Sequence, residues 1–369
     1  MDNKYIAIFV VAILALSGVG VYLAYGNNPS DEPTTITIVD AKNNTIELSE
    51  PLDKVAIVNT NIPVAMRILG LTDKVVGIDT STLSKNDNAE VFTNAVAIGA
   101  RNAITGESIL DAGTNYVITP VSMGITSNTD AIEQMGITII YIDCYGETAI
   151  EDLQKILTLF GNDGTAKEKY DVFMENYDGI ISSVDAKVAA AGLTQSPVFL
   201  QCFISKNAFY NQTAATSKMM ENICGKNVFN YLGASTTNIS NDATDLGIRE
   251  VVIAYDGSST TSIDFVLIRD SSKYKDIDAY DQFVAMMDGA YASLSAVQDG
   301  DVYVMYTDIM SGYLSYVGYA AMAEIFGVDT GLDFASMISD FNDSYGTDYR
   351  TTELLIKVAA DGTPEELLS

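Results

Sequence analysis

Short apolar runs alternate along this chain with stretches whose apolar positions recur every three or four residues, the patterning of an α/β architecture. Thr35–Ile38 and Thr45–Leu48 flank Ala41-Lys42-Asn43-Asn44 and predict a hairpin. Val55–Val58, Val75–Ile78, Ala95–Ile98, Tyr116–Thr119 and Ile137–Ile142 predict buried strands. Ile62–Leu69 and Thr148–Phe160 predict helices, the second ending at Gly161. From Asp163 to Ala191 the apolar positions Tyr170, Phe173, Met174, Tyr177, Ile180, Ile181, Val184 and Val188 keep one helical face, with Gly192 placed to stop it. Beyond that long helix, strands are expected at Val198–Ile204, Phe265–Ile268 and Val302–Tyr306, and helices at Thr216–Ile223, Asp281–Met287, Gly318–Phe326 and Phe334–Tyr345.

Two α/β lobes joined by one long helix account for this order. The expected organisation is an N-terminal lobe over residues 36–162, an inter-lobe helix over 163–192 and a C-terminal lobe over 193–369. A faint internal echo fits two lobes of similar plan. Glu107-Ser108-Ile109-Leu110 leads to the strand Tyr116–Thr119, and Glu250-Val251-Val252-Ile253 leads to the strand Phe265–Ile268.

Residues 1–26 stand apart. Tyr5 to Tyr25 runs without a charge and is long enough to cross a hydrocarbon core of about 30 Å. Lys4 precedes it while Asp31 and Glu32 follow, which places the N-terminus in the cytoplasm and the rest outside. A retained signal-anchor and a cleaved signal peptide are the two readings, and the length favours the anchor. Residues 27–35, with Pro29 and Pro33, form the expected linker. Cys144, Cys202 and Cys224 are odd in number; pairing of Cys202 with Cys224 is one arrangement and buried free thiols the more ordinary one.

Composition removes much chemistry. The chain has 369 residues, no histidine, 20 Lys+Arg and 49 Asp+Glu, a formal charge of −29. Histidine-based triads and His-ligated metal are excluded. Nucleic acid is excluded as a partner by the lack of basic clusters. No nucleophile motif or phosphate loop occurs, so the chain reads as a non-enzyme without a resident cofactor or metal site.

The residues then resemble a known family, the ABC-transporter substrate-binding proteins for iron–siderophore, haem and cobalamin uptake. Pro51, Lys54-Val55, Leu69-Gly70 and Asp73-Lys74-Val75-Val76-Gly77-Ile78 match its opening pattern. Glu107-Ser108-Ile109-Leu110 through Val117-Ile118, Met135-Gly136-Ile137 through Tyr141-Ile142-Asp143, and Ala296 to Phe326 resemble its later motifs. Thr114-Asn115 stands where the family has Pro-Asp, and Val64 where it often has Glu. The resemblance implies a class III periplasmic-binding-protein-like fold with a ligand cleft between the lobes and little hinge motion. It also implies an ABC permease and its ATPase as partners, and a metal chelate as ligand: a ferric siderophore first, a cobamide or haem next.

By motif position the resemblance makes Glu107 and Glu250 the permease-docking carboxylates; a Glu near a helix N-terminus that simply complements the macrodipole is the alternative. Ligand contacts are expected on loops at strand ends. On the first lobe these are Asn59, Thr60, Asn61, Arg101, Met123 and Tyr145, and on the second Lys206, Tyr210, Tyr313 and Tyr316. Tyrosine supplies a flat apolar face with one polar tip, and Arg101 and Lys206 are the expected cations for an anionic ligand. An anchored surface enzyme using carboxylates, such as a glycosidase, and an adhesion or sensor module on the same fold are the rival functions.

Overall fold

A computed structural model of the chain describes residues 35–369 except 86, 163, 194–195, 204–207, 213, 233–245, 259, 271–288, 290, 352–353 and 369. The expected membrane segment, the linker up to residue 34, Lys206 and the helix at Asp281–Met287 lie outside the described residues. Among the described residues no helix is long and apolar enough to cross a membrane.

An antiparallel hairpin opens the fold, β1 (Ile36–Val39) against β2 (Thr45–Leu48). Its turn closes through Asn43 at φ +63°, a conformation asparagine tolerates better than most residues. A five-stranded parallel sheet follows, formed by β3 (Val55–Ile57), β4 (Val75–Ile78), β5 (Val96–Ala97), β6 (Tyr116–Thr119) and β7 (Thr138–Tyr141) in the order β5-β4-β3-β6-β7. Its central strands are near-continuous apolar runs because both faces are covered. Val55, Ile57, Ile78, Ile118 and Ile140 enter one core, while Ala56, Val117 and Ile139 enter another on the opposite face. The connecting helices are α1 (Asn61–Ile68), α2 (Thr80–Leu83), α3 (Asn88–Val91), α4 (Gly106–Asp111), α5 (Thr129–Gln134) and α6 (Ala149–Leu159).

The long helix α7 (Gly164–Ala191) runs 28 residues, about 42 Å at 1.5 Å per residue. Gly192 ends it at φ +57°. All eight periodic apolar residues join the main core, Phe173 and Val184 fully buried and the other six packed against it. That core is continuous from Ile38 in the hairpin to Leu368 near the C-terminus, so the lobes share packed interior as well as a connecting helix. Phe173 is central, its ring 5.9 Å from Tyr177, 6.2 Å from Tyr313 and 6.0 Å from Tyr345. Phe173→Ala is expected to lower unfolding free energy by roughly 3–5 kcal/mol. Denaturant unfolding measures it, and a midpoint unchanged from the parent would refute the shared core.

The second sheet has the order β10-β8-β11-β12-β13-β14, with β9 on β8. Its strands are β8 (Val198–Phe203), β9 (Ala208–Tyr210), β10 (Lys226–Asn227), β11 (Phe265–Asp270), β12 (Val302–Tyr306), β13 (Leu355–Val358) and β14 (Pro364–Glu366). Its helices are α8 (Ala215–Ile223), α9 (Leu246–Asp256), α10 (Ser295–Asp299), α11 (Thr307–Ser311), α12 (Ser315–Ile325) and α13 (Phe334–Tyr345). The parallel block β10-β8-β11-β12 repeats the order of β4-β3-β6-β7. The faint sequence echo thereby acquires a structural meaning: α4 feeds β6 and α9 feeds β11, the corresponding strands of the two sheets. The lobes diverge outside that block: β5 extends the first sheet beyond β4, whereas β9 pairs with β8 and β13 and β14 add antiparallel strands to β12 in the second.

Candidate functional site

Parallel sheets gather their loops at the carboxyl ends of the strands, where ligand sites of α/β proteins form. On the first lobe three such loops carry non-glycine residues at positive φ: Asn59 (+94°) after β3, Met123 (+61°) after β6 and Cys144 (+51°) after β7. Conformations of this kind persist only where surrounding contacts hold them. Carboxylates hold these loops. Asn59 N donates to Asp79 Oδ2 at 2.9 Å, Val121 N to Asp143 Oδ1 at 2.8 Å and Cys144 N to Asp152 Oδ2 at 3.0 Å.

Asp79 accepts further bonds from Ser81 Oγ at 2.7 Å and Thr82 N at 3.1 Å. Those donors outweigh burial and hold its carboxyl below the usual carboxylate range. Asp152, buried beneath the last loop, has the opposite shift: burial pushes it up against the nearby Lys155. The Met123 carbonyl is gripped from two sides, by Arg101 Nη1 at 2.6 Å and Asn59 Nδ2 at 3.4 Å. Its side chain is left 65% exposed.

On the second lobe Arg269 is the penultimate residue of β11. Its guanidinium donates through Nε to Thr307 Oγ1 at 3.1 Å and through Nη1 to the Tyr210 hydroxyl at 3.2 Å. Nη2 donates to the Tyr145 hydroxyl, across the gap between the lobes. The guanidinium also stands over both rings, 5.3 Å from Tyr145 and 5.5 Å from Tyr210. Thr307 passes the interaction on, donating to the Asp270 carbonyl at 2.7 Å. Burial pulls the Arg269 pKa down and the Asp308 carboxylate opposes that pull. The side chain remains a cation at any physiological pH. Burial pushes the Tyr210 hydroxyl up, so it meets the cation as a neutral phenol.

The structure therefore brings Asn59, Arg101 and Met123 together on one bank and places Tyr145 and Tyr210 on either side of Arg269. Thr60 and Asn61 begin α1 beside them, with Asn61 N bonded to Asn59 Oδ1 at 3.1 Å. Tyr313 and Tyr316 are buried instead, Tyr313 with its hydroxyl against Cys144 beneath the loop after β7. They are 4% and 2% exposed, Tyr313 edge-on to Phe173 and Tyr316 to Tyr177. Both sit in the shared core beside α7, where burial raises their hydroxyls far above the ordinary range.

Glu107 on α4 and Glu250 on α9 are exposed. Thr105 and Ser108 form a capping box, so α4 has its N-terminal cap without help from Glu107. Arg269 is the site residue that loop-based reading passed over. The available signal was a basic residue placed directly at the carboxyl end of a buried apolar strand. All three cysteines are free thiols, with Cys144 and Cys202 buried. Burial pushes the Cys202 thiol up to about 12, which keeps it protonated.

No protein-family model matches the sequence, and no curated protein matches it. Solved structures do match in fold. The TroA-like periplasmic binding protein FepB from Veillonella parvula aligns with TM-score 0.63 at 15% identity, covering 87% of this chain and 99% of that one. A periplasmic haem-binding protein from Pseudomonas aeruginosa aligns with TM-score 0.54 at 16% identity, over 82% of this chain and 96% of its own. An ABC-type Fe3+-hydroxamate transport system protein from Saccharomonospora viridis aligns with TM-score 0.55 at 17% identity, over 79% and 98%. All three are binding or transport proteins. Two parallel-sheet lobes of matching strand order, a long helix packed along both and loops facing each other at the strand ends give this chain the fold of the periplasmic solute-binding proteins.

Proposed function

We propose that this chain is an extracytoplasmic solute-binding protein that captures a metal chelate between its lobes and hands it to an ABC importer. The observation that carries the reading is Arg269, a cation set at the strand end of one lobe between a tyrosine of its own lobe and a tyrosine of the other. A half-buried guanidinium flanked by phenol rings suits a large, flat-sided anion. That chemistry favours a ferric siderophore, with haem and cobamide behind it. Asn59, Thr60, Asn61, Arg101, Met123 and Tyr145 form one bank of the proposed cleft, and Tyr210 and Arg269 the other.

The proposed organisation is an anchor over residues 1–26, a linker over 27–35 and the two lobes at 36–162 and 193–369 around the helix at 163–192. In it, Glu107 and Glu250 meet the permease. Fluorescence titration of the purified exported part with ferric catecholate and hydroxamate siderophores, haem and cobalamin tests the reading. Saturable binding of an anionic ferric siderophore at micromolar concentration or tighter is expected. No binding of any of these chelates would overturn it.

A further inference from the structure

One residue of the lobe junction, Arg67, is a cation in an unusual place. It projects from α1 of the first lobe, is buried, and lies over the Phe92 ring at 5.6 Å. Burying a guanidinium costs several kcal/mol unless every donor is used. Here Nη1 donates to the Gly346 carbonyl of the second lobe and Nη2 to Asn88 Oδ1 at 2.8 Å. Asp87, Asp348 and Tyr349 oppose the burial penalty.

Each of those contacts leads onward. Asn88 Nδ2 donates to the Thr82 carbonyl at 2.8 Å. Thr82 N reaches Asp79, and Asp79 holds Asn59 N in the cleft loop of the first lobe. On the other side, Gly346 opens a turn knotted around Asn342. Thr347 Oγ1 donates to Asn342 Oδ1 at 2.8 Å and Tyr349 N to the same oxygen at 3.0 Å, while Asn342 Nδ2 donates to the Tyr349 carbonyl at 2.7 Å. The Tyr349 hydroxyl then donates to Asp308 Oδ2 at 2.7 Å. Asp308 is in the first turn of α11 beside Thr307, which holds Arg269. Gly346 is at φ +60°, which favours glycine at the point where the turn offers its carbonyl to Arg67.

We propose that Arg67 is a positioning residue that joins the two banks of the cleft, setting Asn59 through Asn88, Thr82 and Asp79 and setting Arg269 through Gly346, Tyr349 and Asp308. It rests on the proposed function only for the naming of the banks. The coupling itself needs no ligand. A partner that pulls α13 away from α1 breaks the Arg67–Gly346 contact and loosens both banks at once. Lobe opening and ligand release are thereby one event.

Hydrogen exchange on the ligand-free protein tests this, read by mass spectrometry at residues 59–61 and 308–312. Arg67→Lys keeps the charge but loses the two-pronged donor. It is expected to speed exchange about tenfold at both places, the effect of losing one net hydrogen bond of about 1.4 kcal/mol. Tyr349→Phe removes a single hydroxyl from the opposite end of the path. It is expected to speed exchange at 308–312 and, across Arg67, at 59–61.

In the double variant neither segment is expected to exceed the larger single effect, because both changes cut one path. A local packing role predicts otherwise: effects confined to α1 and residues 342–349, or effects that add. Either result overturns the proposal. Should Arg67→Lys fail to fold, Tyr349→Phe decides alone by its effect, or lack of one, at 59–61. Failure of the siderophore titration would leave this result standing, and the reverse also holds.

Discussion

Arg269→Ala is expected to weaken binding of an anionic ferric siderophore by about 30- to 1,000-fold, the cost of roughly 2–4 kcal/mol for truncating one partner of a half-buried, charge-assisted contact. The guanidinium holds three hydroxyls in place, those of Tyr145, Tyr210 and Thr307, and two of these belong to rings that would flank the ligand. Alanine removes the charge and also leaves those hydroxyls without their common donor. Arg269→Lys separates the two effects: it keeps a charge of the same sign but not the planar fork, and an intermediate loss is expected. Because the attraction is ionic but largely out of solvent, added salt should weaken binding to the parent protein only modestly. Titration calorimetry of the two variants and the parent with one ferric catecholate measures all of this. An affinity for Arg269→Ala within threefold of the parent would remove Arg269 from the site.

Arg269 also marks where sequence reading stops. Elements whose pattern is set locally are plain in the sequence. β4, β6, β12 and α13 fall at the expected residues, and α7 keeps its apolar stripe for 28 residues. Strands stabilised by distant partners are not. β13 is a short run interrupted by Lys357, and it exists because β12, some fifty residues earlier in the chain, offers it an edge. β9 hides for the same reason, since Ala208–Tyr210 pairs antiparallel with β8 and turns an expected loop residue, Tyr210, into a strand residue.

The candidate site divides in the same way. Asn59, Arg101 and Met123 are picked out because loops after parallel strands converge, and hydrogen bonds to the Met123 carbonyl from 64 and 22 positions away then join them. Tyr313 and Tyr316 also follow a strand, β12, but beyond the intervening α11. The packing of α12 on α7 turns Tyr316 into the core and Tyr313, just before α12, packs on Phe173; no local pattern carries that information. Tyrosine serves both purposes, because one ring can fill a core or face a ligand. Arg67 is the converse, a charge that reads as surface and is buried. Its partners lie 21 and 279 positions away in the chain, beyond any window of periodicity.

Glu107→Ala combined with Glu250→Ala is expected to reduce importer-dependent uptake by about ten- to a hundredfold while leaving chelate affinity unchanged. The two carboxylates occupy corresponding places in the repeated strand order: α4 precedes β6, α9 precedes β11, and each of those strands borders the first strand of its own sheet. Both are exposed, so neither is required to satisfy a buried partner. The capping box at Thr105 and Ser108 removes the ordinary structural duty of a Glu in a first turn, which leaves Glu107 free for an external cation. A net charge of −29 spread over the chain would give general attraction to any basic surface, but it would not orient the protein.

In the proposed docking, two carboxylates, one per lobe, would orient it and would let the permease act on both lobes together. The single variants should each lose less than the pair. The loss should appear in the association rate, and raising ionic strength should shrink the difference between variant and parent. Reversing both charges to lysine should be worse than alanine, since like charges then face each other across the interface. Uptake in cells, with affinity measured separately on the purified protein, makes the distinction. Loss of affinity would place the carboxylates in the cleft, and unchanged uptake would remove them from docking altogether.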